Sequence, residues 1–436
     1  MPRQRLGDYW GLDARGSSVA VEVRAGLVTF LTMAYILLVN AQILSAAGMP
    51  REDVVIATAI ASAVATLVMG LWARFPFALA PGMGLNAYFA YTVVGGMGIR
   101  WQQALAAVFV AGLLFLVLSV GGIRSTILRA IPRAVKMAIM GGIGLFLALI
   151  GLQNAGLVRD HPVTLVTLGE LGQAGPLLAL AGLAVMAALL ARRVPAALLL
   201  GIAGVALVAW GLGVAPLPEA LVAWPRLPRE TLLALDFRDM LSPAMLSVVL
   251  AFLFVDLFDT AGTLLGVGRL AGFTDAEGDL PGADRAFLAD AVGTSVGALL
   301  GTSPVTSYVE SATGVEEGGR TGLTAVVVAA MFLAALVFTP LFVAVPAVAT
   351  APALVVVGAL MMSGLRDIEW QRPDEAIPAF LTVTAMPFTF SIANGIALGL
   401  TGYVVIKTLA GRWREVHPLL WSLVVLLVLF YAFAAP

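Results

Sequence analysis

From residue 25 onward the chain is a succession of apolar stretches, each near bilayer length and cut off by short intervals of Gly, Pro and charge. They lie near 25–46, 53–73, 76–95, 102–122, 131–154, 174–192 and 195–213. A polar interval carrying Glu219, Arg226, Arg229, Glu230, Arg238 and Asp239 follows. The rhythm then restarts near 241–267, 286–301, 303–315, 322–343, 351–365, 376–390 and 391–409, with a last run at 418–434. A helical crossing takes roughly 20 apolar residues, and lipid satisfies no free backbone N–H or C=O, so such runs fold as helices. Only 12% of the 436 residues are charged and 60% are hydrophobic, about half the charge of a soluble domain. The expectation is an all-α polytopic membrane protein with short loops.

The remaining composition removes whole classes of chemistry. A net charge of -1 and no basic tail offer nucleic acid no field. The absence of cysteine excludes disulfides, thiolate catalysis and Cys-type metal sites. The two histidines, His161 and His417, fall in loops, so no metal site and no cofactor is expected. Residues 1–24 are polar, with Asp8, Asp13 and Glu22, and lack a signal-peptide core. They are expected to form a cytoplasmic segment, with the first apolar helix retained in the membrane.

The two sets of seven share a layout in which the third member is short and broken. One reads Ala80-Pro81-Gly82-Met83-Gly84-Leu85-Asn86-Ala87-Tyr88-Phe89, the other Gly301-Thr302-Ser303-Pro304-Val305-Thr306-Ser307-Tyr308-Val309-Glu310. Pro removes a backbone donor and Gly weakens a helix. A backbone broken at membrane depth must line a cavity or other protein. Paired breaks in corresponding positions of two halves point to a transporter's binding site; the competing reading is two kinked helices. Seven is odd, so the two repeats are inverted. Arg74, then Arg124, Arg129, Arg133 and Lys136, then Arg192 and Arg193 occupy alternate loops. This marks those loops, and the N-terminus, as cytoplasmic. The same count places 269–285, Arg320, 366–375, Lys407, Arg412 and Arg414 inside. It leaves 418–434 as an extra crossing or a helix lying along the membrane.

Three acids stand out within the apolar runs: Asp256 and Asp259 in the eighth segment and Glu310 after the second break. A carboxylate at bilayer depth costs at least ~2.5–3.5 kcal/mol and by default faces a cavity. Asp256 and Asp259, three apart, look out on roughly one side. The bland alternatives are an ion pair, for which these spans hold no Lys or Arg, and a helix cap, which also applies to Asn86. Two carboxylates and an amide accept hydrogen bonds from a ligand rich in N–H groups. Phe258, Phe89, Tyr88 and Tyr308 lie beside them in sequence, and a planar solute favours aromatic faces. Burial favours the neutral form of an acid, so a proton and a polar planar solute could bind at one place. An intramembrane hydrolase would need a nucleophile–base pair or metal set, or an acid pair drawn from Asp256, Asp259 and Glu310. A passive channel would need no titratable group at midplane.

Over nearly its whole length the chain resembles the nucleobase–cation symporters of the xanthine/uracil permease superfamily, in particular the AzgA-like hypoxanthine/guanine/adenine branch. The most specific stretches are Ala289-Asp290-Ala291-Val292-Gly293-Thr294-Ser295, Gly301 through Val315, and Gly318-Gly319-Arg320-Thr321-Gly322-Leu323. Phe30-Leu31-Thr32-Met33-Ala34-Tyr35, Gly82 through Phe89 and Phe258-Asp259-Thr260-Ala261-Gly262-Thr263-Leu264 support them. The resemblance implies a seven-plus-seven inverted-repeat transporter. Its core would comprise 25–122 and 241–343, its gate 123–213 and 344–409, with a polar linker at 214–240 and an extra helix within 410–436. Short extended stretches in segments three and ten would hold the base. Substrate contacts would come from Asp259, Glu310, Asn86, Thr263, Tyr308, Val309 and Ala87, with proton coupling at Asp259 and Glu310. A homodimer in the cytoplasmic membrane is implied as well. The Gln/Glu-Asn-x-Gly signature of the uracil and xanthine branch is absent, since Ser311-Ala312-Thr313-Gly314 follows Glu310. This favours adenine, guanine and hypoxanthine. A sulfate-permease-like anion carrier shares the layout but would set a basic residue at the site. Between the acids, the break before Glu310 would give it a half-helix N-terminus and the base, leaving Asp259 the proton.

Overall fold

A computed structural model describes residues 9–120, 132–275 and 280–433. Asp8, Arg124, Arg129 and part of the 269–285 interval lie outside the described residues. Segment one starts at Ser18, whose hydroxyl caps Val19–Met33 by accepting the Val21 N–H. It turns at Ala34 and Tyr35 and resumes as Ile36–Ser45. Segment two, Arg51–Val68, runs on through widened turns to Ala73. Segments four to seven are Trp101–Val120, Arg133–Asn154, Ala174–Ala191 and Ala197–Gly211. Segment eight, Pro243–Leu270, opens with Ser242 as cap and Pro at its first position. Ala283–Leu300, Gly322–Ala335 extended to Ala344, Ala347–Met361, Pro373–Phe388 and Ile392–Leu409 supply segments nine and eleven to fourteen. A terminal helix, Pro418–Phe433, packs on segment fourteen.

Among the described residues nine stretches are long and apolar enough to cross a membrane unaided. Segments three and ten are not among them because both are broken. Segment three contains strand β1 (Leu79–Pro81), a short helix Met83–Ala87 and widened turns over Tyr88–Gly96. An exposed hairpin of β2 (Val158–His161) and β3 (Leu165–Leu168) joins segments five and six. The sequence reading has only a loop there, because four-residue strands carry too few alternations to register. Segment ten contains β4 (Val305–Ser307) and the helix Ser311–Glu316. β1 and β4 pair antiparallel, Leu79 with Ser307, Ala80 with Thr306 and Pro81 with Val305. The ribbon is extended by Gly82 N–H to the Pro304 carbonyl and Tyr308 N–H to the Ala78 carbonyl, both 2.9 Å.

The helices pack in two groups. Segment nine lies against two and four, eleven against one and two, and eight against four. Separately, segment five lies against twelve and thirteen, twelve against six and seven, and thirteen against fourteen. Both groups contain points of near backbone contact. A methyl added at Gly70 or Gly322, or at Gly144 or Gly358, would overlap the other's carbonyl. Small residues allow such approach where the lipid provides no hydrophobic drive between helices.

Several charges assigned to loops or segment ends are buried. Glu22 accepts from the backbone N–H of Arg320 (3.0 Å) and Thr321 (3.2 Å) and from the Thr324 hydroxyl, tying segment one to the start of eleven. Asp53 accepts N–H bonds from Arg229 (2.8 Å) and Glu230 (2.6 Å) and pairs with Arg226, fastening the polar interval to segment two. Lys407, 0% exposed, pairs with Asp374, Glu375 and Glu415 at 2.7–3.0 Å. Buried charge persists only with such partners.

Candidate functional site

The site grows from two threonines that pin the two strands. On segment two the Thr66 hydroxyl accepts the Leu79 N–H (3.0 Å) and donates to the Leu79 carbonyl (3.1 Å). On segment nine Thr294 does the same for Val305, at 3.2 and 2.9 Å. Each helix thus supplies the partner that lipid denies an irregular backbone. Tyr308, just beyond β4, donates its phenol to the Pro81 carbonyl at 2.6 Å, closing the ribbon.

Against this ribbon the helices bring two acids together. Asp259, on segment eight, sits with a carboxyl oxygen beside Gly82, 3.4 Å from where a side chain there would begin. Deep among the helices, it is partly exposed, and the Glu310 charge faces it. No described Lys or Arg faces either carboxyl. Glu310 accepts the Tyr35 phenol at 2.6 Å. Val309 beside it is 61% exposed, so this side of the break opens onto space unfilled by protein. Thr263 follows Asp259 one turn later and is also partly exposed.

Several expectations change on contact with this geometry. Glu310 precedes a helix of only six residues and makes no cap bond; its partner is a phenol from segment one. Asn86 does not cap its helix. Its side-chain oxygen accepts from the Ser303 hydroxyl at 2.5 Å, and its buried amide nitrogen has no partner among the described residues. Ala87 and Tyr308 are buried. Phe89 and Tyr88 pack on Phe252, and Phe258 stacks with Phe254, so these rings are core and present no free face. Asp256 does not share the outlook of Asp259: it turns to segment nine, where Thr294 donates to it at 3.0 Å. A fourth intramembrane acid, Asp290, lies beside it at 0% exposure. In the sequence this residue stands inside the Ala289–Ser295 motif, with nothing nearby to mark its charge as paired. Tyr35 was missed likewise, as only the fold brings segment one to segment ten.

A family model described as Permease family, of the xanthine/uracil permease type, matches residues 21–398. The chain belongs to that family. The permease is 45% identical to the guanine/hypoxanthine permease PbuO of Bacillus subtilis, over 96% of its own length and 98% of that protein's. It is 40% identical to the adenine permease AdeP of Escherichia coli, over 97% and 95%. These relatives are permeases and not enzymes. The transmembrane domain of a cyanobacterial bicarbonate transporter, BicA, superposes with a TM-score of 0.66 over 86% of this chain and 97% of that one, at 15% identity. That likeness concerns fold alone: a membrane-embedded, inverted-repeat transporter of seven plus seven segments, broken at the third and tenth.

Tyr35 offers a direct check on the site. Tyr35→Phe keeps the ring and removes the donor to Glu310 (2.6 Å). A hydrogen bond to a charged carboxylate contributes about 1.5–3 kcal/mol, so solute affinity in the purified permease should fall by up to roughly 10- to 150-fold. Unchanged affinity would remove Tyr35 from the site.

Proposed function

We propose that this permease carries adenine, guanine or hypoxanthine into the cell together with protons. The observation that carries the reading is the convergence of Asp259 and Glu310 on the paired backbone breaks, with no cation facing either among the described residues. Carboxylates accept N–H groups, which purine bases present along their edges, and they take up protons. An anionic solute would meet repulsion there. The names of the relatives in Bacillus subtilis and Escherichia coli agree with a purine. On this reading Asn86, Thr263, Tyr308, Val309 and Ala87 frame the base. The first packing group acts as core and the second as gate, moving past each other in alternating access. The permease sits in the cytoplasmic membrane with its N-terminus inside, as a homodimer.

Uptake of labelled hypoxanthine into reconstituted vesicles tests this. An inward proton gradient should drive accumulation, and collapsing the gradient should abolish it. Accumulation that follows a sodium gradient alone would overturn the coupling; failure of every purine to compete would overturn the substrate.

A further inference from the structure

Beside β4, two further carboxyls face each other. Asp256 of segment eight is 2% exposed and Asp290 of segment nine 0%, within hydrogen-bonding reach of one another. Each keeps one oxygen, Oδ1 of Asp256 and Oδ2 of Asp290, with no donor among the described residues. The titratable groups facing them are each other and Asp259, and no described cation does. Two bare carboxylates in contact repel in a medium of low dielectric, and such pairs settle by sharing a proton.

A count of hydroxyl hydrogens points the same way. Thr294 has one hydrogen and two acceptors for it, the Val305 carbonyl at 2.9 Å and Asp256 Oδ2 at 3.0 Å. Its counterpart in the first repeat, Thr66, makes the same strand contacts and has one acceptor, the Leu79 carbonyl. An ionised Asp256 draws the Thr294 hydrogen to itself; a neutral one leaves it on Val305. Asp290 reaches the same strand through the Thr260 hydroxyl, 2.8 Å from its Oδ1 and 2.7 Å from the Thr306 hydroxyl.

We infer that Asp256 and Asp290 hold one shared proton, a protonation site separate from Asp259 and Glu310, and that this proton secures β4. Its loss pulls the Thr294 and Thr260 hydrogens toward the acids and loosens the strand that leads to Tyr308 and Glu310. The inference concerns the strand and its proton and holds whichever solute is carried.

Infrared difference spectra of the full-length permease in lipid discs, in H2O against D2O at neutral pH, test it without any transport assay. A protonated-carboxyl band should be present in the wild type and in Asp259→Asn. Asp256→Asn and Asp290→Asn should each remove that same band. Persistence of the band in both, or its loss only in Asp259→Asn, would overturn the inference. Thr294→Val covers the case in which the pair variants fail to fold. The band should survive but shift, because a methyl replaces the hydroxyl 3.0 Å from Asp256 Oδ2; an unshifted band counts against the shared proton.

Discussion

Glu310→Gln should lower purine affinity about 10- to 150-fold while the permease remains folded in the membrane. The Tyr35 phenol can still donate to the amide oxygen, so its contact with the neighbouring helix survives. What disappears is a charged acceptor for ligand N–H groups. Hydrogen bonds to a charged group are worth about 1.5–3 kcal/mol, and each 1.4 kcal/mol is tenfold in affinity. Equilibrium binding of labelled hypoxanthine to purified protein measures the change directly. Wild-type affinity in a well-expressed variant would mean that Glu310 does not touch the base.

Asp259→Asn should separate exchange from accumulation. Among the described residues Asp259 has no protein hydrogen-bond partner, in contrast to Glu310 with its phenol. A carboxyl so placed is left to solvent, a ligand donor or a proton. An amide still offers hydrogen bonds to a base but cannot carry a proton. Vesicles loaded with unlabelled hypoxanthine should therefore still exchange it for labelled base, while uphill uptake on a proton gradient should vanish. Binding in the variant should also respond less to pH. If Asp259→Asn accumulates normally and Glu310→Gln binds well without accumulating, the two roles are exchanged.

Much of this architecture was open to reading because lipid simplifies the rules. A helix in hydrocarbon must be apolar along its whole length, so each segment and each break stands out in the chain. For the same reason Asp259 and Glu310 stand out as acids where apolar residues belong. What escaped notice depends on partners distant in sequence. Tyr35 is an unremarkable aromatic until segment ten places Glu310 against it. Asp290 passes as part of a motif until Asp256 turns toward it. Phe89 and Tyr88 look available to a ligand until Phe252 covers them. Glu22, Asp53 and Lys407 lie near segment ends, where solvent would be the default partner; only the packed termini and the docked polar interval show that protein replaces it.

The β1–β4 ribbon also sets a timetable for synthesis. Leu79–Pro81 leaves the ribosome long before Val305–Ser307 exists. At roughly 5–20 residues per second the interval is on the order of 10–45 s, during which β1 lies in a nascent chain without its partner strand. Thr66, made only moments earlier, binds both the N–H and the carbonyl of Leu79. It can therefore hold that residue's backbone satisfied within the first repeat until the second is translated. Thr66→Val should thus show its defect during insertion, as degradation of newly made chains, more than in the kinetics of molecules that mature.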